Sequence, residues 1–137
     1  MIEISFSPQK YDFIVIPGLI YKNKKQQIVD FLIDTAASTT MIDPKIMEDI
    51  GYSKNCSEYI SPATVSGPSG KEEGYRVKGQ KILLYSMECI LENIDIVCIR
   101  PERNVEALLG VNFLKYFHYC IDHKNHKLTL KKQLQQK

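Results

Sequence analysis

Phe31-Leu32-Ile33-Asp34-Thr35-Ala36-Ala37-Ser38-Thr39-Thr40 is the stretch whose reading decides the fold. A largely apolar run from Ile28 to Ile33 reads as a buried strand, and it ends in the carboxylate of Asp34. Small residues and hydroxyls follow at once. A carboxylate delivered by a buried strand loses much of its hydration unless a partner satisfies it. The hydroxyls of Thr35 and Ser38 are the nearest candidates. Taken alone, the stretch also fits a plain strand-end turn in which Asp, Thr and Ser side chains bond the local backbone.

Outward from this stretch, the chain reads as short strands separated by turns. On the N-terminal side, Ile2 to Phe6 alternates apolar and polar residues, and Ser7 to Lys10 is a turn. Tyr11 to Ile16 is a second strand closed by Pro17-Gly18, with Leu19 to Tyr21 as an extension. Asn23-Lys24-Lys25 is a hairpin turn that leads into the strand from Gln26 to Ile33. On the C-terminal side, Thr39 to Ile42 is extended. Asp43-Pro44 then starts a short helix, with Asp43 as cap and Gly51 as stop. Cys56 to Val65 and Tyr75 to Leu84 are strands around the loop Ser66 to Gly74. Met87 to Leu91, Ile94 to Ile99 and Ala107 to Leu109 are further strands, and Asn112 to Phe117 is a second short helix. Tyr119 to Asp122 and Lys127 to Leu130 close a final hairpin, leaving Lys131 to Lys137 as a frayed polar tail. The expectation is an all-β barrel with one or two short helices, one domain over residues 1–130 and a tail over 131–137.

Composition fits that scale. The chain has 137 residues, enough for one core. A net charge of +2 is too small to indicate nucleic acid as a partner. No apolar run is long enough to span a bilayer as a helix. The N-terminus lacks a basic region followed by an apolar core, so no secretory signal is read. Cys56, Cys89, Cys98 and Cys120 are scattered and are expected to be reduced thiols, which suggests a cytoplasmic protein.

Asp34-Thr35-Ala36-Ala37-Ser38 resembles the Asp-Thr-Gly/Ala-Ala-Ser signature of retropepsin-like aspartic proteases. Ala107-Leu108-Leu109-Gly110 resembles the apolar-apolar-Gly element that the family carries before a short helix. The resemblance implies a closed β-barrel acting as a homodimer. It implies an endopeptidase in which Asp34 from each subunit activates water, with no metal or cofactor and an extended peptide as substrate. Thr35 would tie the two loops together across the axis, the Ala36 amide would donate to Asp34, and Ser38 would donate to its outer oxygen. Leu108 and Leu109 would pack beneath the loop, with Gly110 allowing the chains to cross closely. Ser66, Gly67, Gly70 and Gly74 would belong to a flap that closes over the peptide. The signature occurs once, so the economical source of a twin carboxylate is a second copy in a two-fold homodimer.

Other residues with chemical potential have simpler readings. Asp122 reads as a solvated strand end, Asp43 as a helix cap and Asp95 as an outward strand residue. His118, His123 and His126 lie near Cys120, but no second pair of ligands completes a tetrahedral metal site. A different class of function remains open on the same barrel: a module that binds an extended peptide without cutting it.

Overall fold

The computed structural model describes residues 1–7, 13–68, 70–102 and 104–133. Of the turn expected at Ser7 to Lys10, the part from Pro8 onward lies outside the described residues, as do Tyr11, Asp12, Ser69, Arg103 and the last four residues of the tail. Ten strands and two short helices follow in chain order. They are β1 (Ile2–Ser5), β2 (Val15–Lys22), β3 (Lys25–Ile33), β4 (Thr40–Ile42), α1 (Pro44–Asp49), β5 (Tyr59–Gly67), β6 (Gly70–Leu84), β7 (Ile90–Cys98), β8 (Ala107–Leu109), α2 (Val111–Leu114), β9 (Phe117–Asp122) and β10 (Lys127–Lys132).

Strands β2-β3-β8-β4-β7-β6 lie side by side in that order, and β2 also pairs with β6, which closes a six-stranded barrel. The contacts β3–β8 and β4–β7 are parallel, and the other barrel contacts are antiparallel. Strand β5 pairs only with the first half of β6, so the two project from the barrel as a long hairpin. Strands β1, β10 and β9 form a separate three-stranded sheet within the same chain.

Strand register sorts the side chains into two layers. Ile16, Phe31, Ala107, Ile42, Cys98 and Tyr75 are cross-strand neighbours in one row around the barrel, and all belong to the buried core. One residue along, each strand turns the opposite way. This second row is Val15, Leu32, Leu108, Met41, Val97 and Arg76. Leu32 and Val97 are buried on this outer face without joining the main core cluster.

Several sequence expectations shift. Pro17-Gly18 does not end a strand: β2 runs through it, and Gly18 is needed because Phe31 and the Leu83 carbonyl leave no space for a side chain. The two strands expected before and after Asn93 are one strand, β7, in which Asn93 takes φ 56°. The loop expected over Ser66 to Gly74 is mostly paired strand, with Gly67 opposite Gly70 and Gly74 opposite Ala63. The start of the tail is ordered. Lys131 and Lys132 extend β10, and the Gln133 amide donates to the Tyr116 carbonyl at 2.9 Å. The helix start held: Asp43 accepts from the Lys45 amide at 2.9 Å, with Pro44 in the first turn.

Candidate active site

Asp34 follows the last residue of β3, where the parallel pairing of Ile33 with Leu109 ends. Its amide donates to the Leu109 carbonyl at 3.1 Å, and its own carbonyl accepts from Ala37 at 3.2 Å. The Ala36 amide donates to Asp34 Oδ1 at 3.0 Å, so the small residues hold the carboxylate from behind. Asp34 is partly buried, whereas Thr35, Ala36 and Ser38 are exposed. No hydrogen bond joins the Ser38 hydroxyl to Asp34 among the described residues; the Ser38 carbonyl instead accepts from the Asn112 amide at 3.2 Å.

The loop from Asp34 to Thr39 is clamped against the start of α2. The Val111 amide donates to the Ala37 carbonyl at 2.8 Å. A side chain on Gly110 would meet the Thr39 carbon and oxygen at 2.7 and 2.8 Å and the Ala37 oxygen at 2.9 Å. Glycine is therefore required by close approach of backbone. Thr40 is fully buried, and its hydroxyl accepts from the Gly110 amide at 3.2 Å while donating to Asn112 Oδ1 at 2.8 Å. Asn112 Oδ1 also accepts from the Thr40 amide at 2.9 Å, and its Nδ2 donates to the Asp95 carbonyl at 2.8 Å. Buried polar groups are tolerated when satisfied in this way. The sequence reading named the loop and Gly110 but missed Thr40 and Asn112. An amide residue two positions after Gly110 was the available signal.

Asp34 lines a cleft of about 240 Å³. Met41 and Leu108 form the apolar floor beside it. Val65, Ser66, Gly67, Pro68, Gly70 and Glu72, at the tip of the β5–β6 hairpin, form the roof. Ile99, Arg100 and Glu102 form a side wall. Ser66, Gly67 and Gly70 thus come together with Asp34 and Leu108. Gly74 does not: it sits in the body of β6, packed against the Cys98 carbonyl and Ile99. Leu109 points into the core instead of the cleft.

The remaining candidates are apart from the cleft. Asp122 caps the β9–β10 turn, where hydrogen bonds from the Asn125 side chain and backbone hold its carboxyl below the usual range. Asp95 pairs with Lys78. All four cysteines are free, and no cluster of metal-ligating side chains occurs among the described residues. No helix among the described residues is long and apolar enough to cross a membrane.

Comparison with known proteins shows the family and the fold. Residues 22–116 match the family described as "gag-polyprotein putative aspartyl protease". The chain belongs to this family of retropepsin-like aspartic proteases. A retropepsin-like aspartic protease from Rickettsia conorii superposes with a TM-score of 0.70 at 16% identity, over 94% of this chain and 99% of that one. The retroviral protease-like domain of Ddi1 from Leishmania major superposes with a TM-score of 0.59 at 18% identity, over 86% of this chain and 87% of that domain. At these identities the superpositions establish the fold. No curated protein matches the chain by sequence.

Proposed function

We propose that this protein is an aspartic endopeptidase whose active site assembles from Asp34 of two copies of the chain. The observation that carries the reading is Asp34 on the floor of a cleft roofed by the β5–β6 hairpin, on a loop clamped to Gly110 and α2. One carboxylate cannot both activate water and protonate the substrate carbonyl. Two carboxylates sharing one proton can: the ionised one takes a proton from water, and the neutral one donates to the carbonyl oxygen. Exposure of Thr35 and Ala36 leaves the loop open to a twin loop across a two-fold axis. The hairpin then acts as a flap, and an extended peptide lies between it and the Met41–Leu108 floor. Neither a metal nor a cofactor enters this chemistry.

The test is cleavage of a diverse peptide library by wild type and Asp34→Asn from acid to neutral pH, read by mass spectrometry. Cuts that disappear in a variant with unchanged melting temperature, with a bell-shaped pH profile in the wild type, are the expected result. A folded, dimeric wild type that retains peptides but cuts none would make the protein a peptide-binding module instead.

A further inference from the structure

The cleft floor continues beyond the cleft. Leu32, Leu108, Met41 and Val97 are cross-strand neighbours on the outer face, and the next member of the row, on β6, is Arg76. Every other member of the row is apolar. Arg76 is partly buried, and its Nε is sealed from solvent with no hydrogen-bond partner among the described residues. No ion pair engages its guanidinium among them either. Two carboxylates near it in strand register are Asp95 and Glu72. Asp95, on the adjacent cross-strand pair, is held by Lys78. Glu72 lies four residues up β6, about 13 Å at the rise of an extended strand. A half-buried guanidinium with no counter-charge is costly unless a carboxylate reaches its terminal nitrogens.

We infer that Arg76 is a specificity-determining residue that receives an acidic side chain of the peptide substrate. The inference rests on the protease reading above. Adjacent strands are about 4.8 Å apart, so Arg76 lies about 10 Å from Met41, and an extended peptide covers that distance in about three residues. Side chains alternate along an extended peptide, so an Asp or Glu about two or four residues from the one seated over Met41 faces the same floor and meets the two terminal nitrogens end-on, as a bidentate pair. The preferred substrate therefore carries an acidic residue at one fixed distance from the scissile bond.

The experiment compares peptides from the library that differ only by Glu against Gln at each position. In the wild type, kcat/KM should favour Glu by about 10- to 100-fold at one position, through KM. Arg76→Gln should lose this preference because cleavage of the Glu peptide falls to that of the Gln peptide, and Arg76→Glu should prefer Lys there. A wild type indifferent to Glu and Gln overturns the inference. So does a preference that survives in Arg76→Gln, or an equal slowing of both peptides, which would mark Arg76 as structural. If Arg76→Gln fails to fold, Arg76→Lys keeps the charge and should keep a weakened preference; loss of preference in that folded variant counts against the inference. If the wild type cuts nothing, the protease reading fails separately. Arg76 is then judged by fluorescence anisotropy with acidic and neutral peptide pools: tighter binding of the acidic pool, lost in Arg76→Gln, supports the role, and equal binding overturns it.

Discussion

Asn112 accepts from Thr40 twice and donates to the Asp95 carbonyl, so one side chain joins β4, α2 and β7 beneath the Asp34 loop. Asn112→Ala would leave the buried Thr40 amide and hydroxyl without their acceptor. Such a loss costs about 1–3 kcal/mol. The expected result is a lower melting temperature together with cleavage reduced by roughly 10- to 100-fold, because the carboxylate loop loses its anchor. Thermal melts and single-substrate kinetics on the same preparation check both. The Asp34 signature was legible because its meaning lies in adjacent residues: an apolar strand, one carboxylate and small residues behind it. The partnership of Thr40 with Asn112 was not, because it spans the sequence between β4 and α2 and exists only once β4 pairs with β8. Arg76 was hidden for the same reason. On its own strand it reads as an ordinary outward charge, and only the register across β7 and β4 sets it in line with the cleft floor.

At the scale of elements, the β5–β6 hairpin sets what can move over Asp34. Its register shifts between Tyr59 and Ser61, which lets Tyr59 pair with core-facing Val77 while Ser61 pairs with Arg76 on the cleft side. The cluster of glycines reads as a loop in sequence, but paired backbone reaches Gly67 and Gly70. The glycines therefore differ in role. A side chain at Gly74 would strike the Cys98 carbonyl and Ile99, whereas one at Gly67 would first meet the exposed Glu102 side chain. Gly74→Ala should cost about 1–3 kcal/mol by pushing the hairpin root off β7. Gly67→Ala should cost less, since the nearest atoms are the far end of the Glu102 side chain and not backbone. Parallel melting curves distinguish them; equal losses would mean that the tip is as tightly held as the root.

For the whole molecule, buried acids that are neutral in the folded state set an alkaline limit. Burial pushes the Cys98 thiol from 9.0 up to about 12 and the Cys89 thiol to about 11. Burial likewise raises the Tyr52 hydroxyl from 10.0 to about 12. The unfolded chain ionises these groups first, so their contribution to stability is complete below about pH 9 and declines as pH rises toward 12. Urea midpoints should be level from pH 7 to 9 and fall by pH 11, with Cys98→Ala falling less steeply. The barrel closes through β2 and β6 of one chain, and β1 pairs with β10 of that same chain. The described strand pairings of both sheets are thus made within one chain, whereas the proposed chemistry needs two. Under the proposed dimeric mechanism, dilution should lower specific activity, and the melting temperature should fall with it only as far as that of the lone chain, because association stabilises the folded state by mass action. On the proposed mechanism, cellular abundance would act as the switch, leaving the protein idle below the concentration at which two carboxylates meet.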